Sequence, residues 1–322
     1  QTTTKKQPTM SSANMAKKEL QAIDLVAQAE KKCKKTFGLF GGKYDEALEK
    51  YQKAANLFKL CKKWEKAGDV FTAMANVNIN KLKSVRDAAR NYSDAANVYR
   101  KLSDTDKAID AMKLAVDINT DQGNFNAAAK QEKIIAEICE EGNNYEDAVE
   151  HYSLAADYFD TENSTSSANA MKLKKAHFSA HLKMYAEAID IYEQVAKASV
   201  DNNLIRFSVK DYLFKAMLCH FAMFAEQSED ERNIEPSIAA HEQYCEIDVN
   251  YEDSREGTLV QTVLDGVQNE DLNTIMKGIR AYDRISKLDH WKSSLLLKVK
   301  SLYEDDDADD LNSTDDDEDD LR

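Results

Sequence analysis

The sequence predicts an all-α protein: a right-handed superhelical solenoid of antiparallel helix pairs with a C-terminal helical bundle. Three observations carry that expectation. The 322 residues include only 2 Pro and 9 Gly, so few positions break or loosen a helix. Alanine recurs about every twenty residues, at Ala47, Ala67, Ala88, Ala108, Ala128, Ala148, Ala168 and Ala188. Eight residues after each comes a second small residue: Ala55, Ala75, Ala96, Val116, Ala136, Ala156, Ala176 and Ala196. Positions eight apart lie two turns along one helix face, and small side chains there let a neighbouring helix come close.

Between the two small residues falls a mostly bulky knob: Tyr51, Phe71, Tyr92, Met112, Glu132, Tyr152, Lys172 and Tyr192. A second large residue often precedes the first alanine by three, as at Tyr44, Trp64, Phe125, Tyr145 and Tyr185. Two such helices make a unit of about forty residues, so the helix pairs are tetratricopeptide-like. Glu132 and Lys172 interrupt the knob series. The expectation is that their helices turn this row toward a groove or toward solvent.

Taken in order, residues 1–15 lack helical patterning and read as an extension. A first helix is predicted over Ala16–Lys35, with apolar positions Leu20, Ile23, Leu25, Val26 and Ala29. It ends in a turn at residues 36–42 that holds three of the nine glycines, which stop a helix and free the backbone. The repeat region spans 16–200. Beyond it, 201–303 read as a capping bundle, with helices predicted at Leu204–Ala225, Ser237–Glu246, Asp253–Gln268, Asp271–Leu288 and His290–Leu302. Such a cap covers the apolar face that a terminal repeat leaves open.

Residues 304–322 form an acidic tail. Of the net charge of −15, the tail holds most, with 12 acidic residues and one Arg. A strongly acidic tail, with many of the aromatics on the knob positions of the repeat where core packing explains them, argues against nucleic acid as a partner. Cys33, Cys61, Cys139, Cys219 and Cys245 are odd in number and show no C-x-x-C spacing, which reads as reduced thiols. His177 and His181, like His241 and Cys245, have the i, i+4 spacing of metal ligands without the neighbouring acid that metal hydrolases need. No nucleophile–base pair or phosphate-cradling loop is evident, so the reading is not an enzyme, with no cofactor.

Several segments resemble the soluble NSF attachment protein family, alpha and beta type. They are GLFGG (Gly38–Gly42), NSTSSAN (Asn163–Asn169), AEAIDIYEQV (Ala186–Val195), SVKDYLFKAMLCHF (Ser208–Phe221), DSRE (Asp253–Glu256), ISKLDHW (Ile285–Trp291) and the closing DEDDLR. The likeness runs in order from Lys17 to Arg322. It implies an adaptor that binds the SNARE four-helix bundle and recruits the hexameric AAA ATPase NSF for SNARE disassembly. It also implies a cytoplasmic, peripherally membrane-associated protein. The chain departs from the family in its enlarged Asp-rich tail, in an acidic stretch around Ser228–Arg232, and at Ala170, where the family is commonly basic.

Three contact surfaces follow. Phe37, Leu39 and Phe40 lie between glycines, which suits insertion into a membrane surface, a use the resemblance also implies. Lys130, Lys174, Arg206 and Lys210 are the candidates for a basic row that complements the acidic exterior of a SNARE bundle. By resemblance, Asp319, Asp320 and Leu321 engage NSF and stimulate it. The alternative reading is a tetratricopeptide-type co-chaperone or scaffold that holds a peptide in its groove.

Overall fold

The computed structural model describes residues 12–34, 42–102 and 105–304. Fourteen α-helices occupy most of them: α1 (Ser12–Lys34), α2 (Gly42–Leu60), α3 (Trp64–Val77), α4 (Val85–Tyr99), α5 (Asp106–Asp121), α6 (Phe125–Glu141) and α7 (Tyr145–Thr161). There follow α8 (Thr165–His181), α9 (Tyr185–Ser199), α10 (Val209–Glu226), α11 (Glu235–Ile247), α12 (Arg255–Gln268), α13 (Leu272–Ile285) and α14 (His290–Lys300). No strand occurs among the described residues.

The alanine beat falls one pair per helix from α2 to α9. Every first alanine, from Ala47 to Ala188, has no exposed surface, and every second small residue is buried too. Short side chains at these points remove the bulk that would hold adjacent helices apart.

A repeated turn sets the period. Lys62, Gly123, Asn143, Asn163 and Lys183 adopt left-handed φ values of 53–66°, each two residues before the next helix begins. The following amide then reaches back over the helix end: Lys63 N to Phe58 O at 2.9 Å, Asn124 N to Asn119 O at 2.8 Å, Asn144 N to Cys139 O at 2.9 Å, and Met184 N to Ser179 O at 2.8 Å. This bond satisfies a terminal carbonyl and reverses the chain. The spacing from Ala67 to Ala88 is one residue longer than its neighbours, and the structure shows why. A π-helical turn, Asn78–Leu82, follows α3 and takes up the extra residue, so Ser84 N bonds Asn78 O at 3.0 Å across it.

The described residues divide into two compact units, one up to Lys175 and one from Ala176, with the division falling inside α8. In the first, α1 to α7 pack each against the next in chain order. Tyrosine knobs bury their rings and send their hydroxyls to polar groups. Tyr92 Oη donates to Asn76 Oδ1 at 2.9 Å, and Tyr152 Oη donates to Glu140 Oε2 at 2.6 Å. The expectation for Glu132 is corrected here. It faces neither groove nor solvent but is 5 % exposed, and its Oε2 lies 2.6 Å from Nδ1 of the buried His151 on α7. A carboxylate can occupy a knob position because the next helix supplies a polar partner. Lys172 is half-buried and pairs with Asp160 at 2.7 Å.

In the second unit α10 packs against α9, α11, α12 and α14. Its buried residues lie on all sides, as a central helix requires: Leu213, Phe214, Met217, Leu218 and Phe221 on one, Ala216, Cys219 and Ala222 on the other. α10 starts at Val209, later than Leu204 as the sequence predicts. Asn202 Oδ1 accepts the Leu204 amide at 3.0 Å, and a side chain that takes a local amide favours a turn over a helix. The repeat turn recurs between α12 and α13, where Glu270 has φ 52° and Asp271 N bonds Gly266 O at 2.8 Å. Here glycines take the alanines' place. A Cβ on Gly278 would lie 2.8 Å from Thr262 Cγ2, and one on Gly266 would lie 2.5 Å from Ile275 Cγ1.

Candidate protein-binding site

Four of the residues singled out as contacts lie within the described structure, two in each unit. Lys130 is exposed on α6, in the turn after the buried Ala128–Ala129 pair that anchors the helix. Lys174 projects from α8, with Nζ 3.0 and 3.1 Å from the two oxygens of Glu140 and 5.9 Å from the centre of the Tyr152 ring. Glu140 thus accepts from both Tyr152 and Lys174. Burial of the Tyr152 hydroxyl and its bond to Glu140 push the phenol well above its usual range, so it stays a donor. Lys174 is thereby a placed cation about half open to solvent, which can exchange its partner for an external carboxylate.

In the second unit, Arg206 sits on a short 3-10 turn ahead of α10 and Lys210 lies in the first turn of α10. Each stands over an acid that the fold shields, Asp248 buried and Glu256 partly buried. Arg206 Nη2 is 3.7 Å from Asp248 Oδ1, and Lys210 Nζ is 3.5 Å from Glu256 Oε2. Asp248 is held by the Asn250 amide and side chain, both at 3.2 Å, and Glu256 accepts from Tyr282 Oη at 3.1 Å. A cleft of about 510 Å³ runs between these groups, lined also by Asn203, Phe207 and Ser254.

Beside this cleft Leu204 is 82 % exposed, Phe207 73 % and Val249 74 %. Sequence reasoning missed them because Leu204 and Phe207 look like part of the apolar run of α10. Outside the helix, they are large apolar groups next to cations, a composition that favours protein contact. The run Asp201-Asn202-Asn203, rich in turn formers, could have separated them from the helix.

Phe37, Leu39, Phe40, Asp319, Asp320 and Leu321 lie outside the described residues. The histidine pair is packed. His177 and His181 ring centres lie 4.9 and 6.4 Å from that of Trp291, and burial lowers the His181 pKa. Cys245 Sγ is 4.0 Å from His241 Nε2, and no cluster of three or more metal-binding groups occurs among the described residues.

Fold and surface together define a helical-repeat binding protein. Comparison with known proteins makes this specific. The profile described as "Soluble NSF attachment protein, SNAP" matches residues 20–304, and the chain belongs to that family. Its relatives include the beta-soluble NSF attachment protein of Bos taurus, 40 % identical over 298 residues, covering 90 % of this chain and 96 % of that protein. The alpha-soluble NSF attachment protein of Mus musculus is 40 % identical over 299 residues, covering 91 % of this chain and 98 % of the relative. A probable vesicular-fusion protein, the sec17 homolog of Schizosaccharomyces pombe, is 36 % identical over 282 residues, covering 86 % and 94 %. No helix among the described residues is long and apolar enough to cross a membrane.

Proposed function

We propose that this chain is an adaptor that binds the SNARE four-helix bundle and recruits and stimulates an NSF-type AAA ATPase hexamer for SNARE disassembly in vesicle fusion. The observation that carries this reading is the family match over residues 20–304, from within α1 through α14. The proposed chemistry is mechanical coupling: the adaptor grips the bundle laterally while the ATPase supplies the work.

On this reading Lys130 and Lys174 in one unit, and Arg206 and Lys210 in the other, meet carboxylates of the bundle. Three of the four already hold an acid of their own unit. For the solvent-facing Lys174–Glu140 pair an exchange of partners costs only about 0–1 kcal/mol, so affinity comes from several contacts together. Leu204, Phe207 and Val249 add apolar area beside the second pair. Phe37, Leu39 and Phe40 touch the membrane that holds the SNAREs, and the chain is peripherally membrane-associated in the cytoplasm. Asp319, Asp320 and Leu321 engage the ATPase.

The test is capture on an immobilised SNARE four-helix complex. The chain is retained alone, and the ATPase is retained only when the chain and non-hydrolysed ATP are present. Equal ATPase retention without the chain contradicts the proposal.

A further inference from the structure

One helix face carries a charge pattern that the adaptor reading leaves unexplained. On α13, Lys277, Arg280 and Arg284 follow one another at intervals of three and four residues, which aligns them along one side. Like charges at such spacing repel one another. Lys287, just past the end of the helix, pairs with Asp283 at 2.8 Å. Among the described residues, Lys277, Arg280 and Arg284 have no carboxylate within salt-bridge distance.

Arg280 and Arg284, with Lys287, rim a groove of about 600 Å³ between α13 and α14. Its floor is apolar, formed by Met276, Ile279, Leu288, Leu296 and Leu297, and Leu297 is 52 % exposed. At the Lys300 end the groove continues into a second hollow lined by Leu272, Met276, Lys277, Arg280 and Glu304. Glu304 is the last described residue, ion-paired to Lys300, so the chain leaves the described structure at the mouth of the groove. The residues that follow carry 11 carboxylates between Asp305 and Asp320, with Leu311 set between two acidic runs.

We propose that the acidic segment 305–322 folds back along α13 and α14, its carboxylates on Lys277, Arg280 and Arg284 and Leu311 on the apolar floor. Reach permits it. Leu311 lies seven residues past Glu304, up to about 25 Å of extended chain, whereas the α14 stretch from Ser293 to Lys300 is only about 10 Å long. Charge, apolar content and point of departure all favour this segment over an external partner. The latch is independent of the adaptor reading. It holds the middle of the tail on the protein and leaves Leu321 ten residues further on.

The test uses the full chain with Leu311→benzoylphenylalanine, irradiated at low protein concentration and mapped by mass spectrometry. The expected result is intramolecular cross-links to α13–α14 peptides, with a yield that falls at least about threefold between 0.05 and 0.5 M salt, as screening of solvent-exposed pairs requires. Arg280→Gln with Arg284→Gln lowers the yield similarly, while circular dichroism shows that the variant keeps its helices. Cross-links that join two copies, that scatter over other helices, or that ignore both salt and the arginine changes overturn the latch.

Discussion

Glu132 on α6 and His151 on α7 face each other inside the first unit, Oε2 to Nδ1 at 2.6 Å, both less than a tenth exposed. The residue before Glu132 extends this polar seam. Gln131 accepts from Asn119 Nδ2 of α5 at 2.9 Å and donates to Ser93 Oγ of α4 at 2.9 Å. Alanine contacts define how near these helices approach. The polar bonds fix which face meets which, because a slip would strand buried donors and acceptors.

Removing one partner of the Glu132–His151 contact leaves the other buried and unpaired. Glu132→Leu and His151→Leu are each expected to cost about 1–3 kcal/mol, and the double change far less than the two costs together. Urea unfolding of the four chains in this cycle measures the coupling. Strict additivity would show that the contact is incidental.

The repeat turns give a prediction about backbone conformation. Lys62 and Lys183 hold left-handed φ values of 56° and 63°, where a Cβ is strained. Lys62→Gly and Lys183→Gly should each stabilise by about 0.5–1 kcal/mol. The converse change, Gly123→Ala, should cost about 1 kcal/mol. At Gly123 an added Cβ meets no atom within 4 Å, so the loss isolates conformation from packing. Shifts in the urea midpoint decide it, and a neutral Gly123→Ala contradicts the strain.

Acid should weaken the second unit first. Burial lowers the pKa of His220 and of His241, in both cases against nearby carboxylates that raise it. Unfolded, these imidazoles bind a proton near pH 6.5; folded, they do so only at lower pH. The unfolded chain therefore holds more protons in that window. The stability these groups contribute is complete above about pH 6.5 and declines as pH falls toward the folded values. Hydrogen exchange of α10 and α11, corrected for intrinsic rates, should quicken between pH 7.5 and 5.5. His220→Leu should flatten that slope, and an unchanged slope contradicts the assignment.

The proposed contacts separate by substrate. Lys130→Glu with Lys174→Glu should reduce capture of soluble SNARE complexes several-fold at low salt, and less at high salt. Phe37→Ser with Phe40→Ser should leave soluble capture intact and weaken binding to SNAREs in liposomes. Each buried Phe supplies about 1.5–3 kcal/mol, too little to anchor the chain alone but enough to strengthen a second contact. Equal losses of both loop activities would place Phe37 and Phe40 in the fold instead.

The helical repeat was legible because close packing demands a small residue every two turns, and Ala47 through Ala196 supply it without a gap. The π turn after α3 showed only as one long interval, Ala67 to Ala88, with nothing in Asn78–Leu82 to mark it. Glu132 misled because its partner is nineteen residues away on another helix, and burial of a carboxylate depends on that partner. The α12–α13 hairpin escaped the beat because Gly266 and Gly278 do there what alanine does elsewhere. Of the exposed apolar residues, Leu204 and Phe207 neighbour Arg206 in sequence, but only the fold brings the turn that carries Val249 beside them.

Disassembly itself is the most direct measurement. A preformed SNARE complex, an NSF-type ATPase and ATP are mixed with the full chain, and release of separated SNARE chains is followed over time. Release should require the chain and should be lost with Leu321→Ala while that variant still captures the complex. Release at the same rate without the chain, or from Leu321→Ala as readily as from the parent, contradicts the adaptor role.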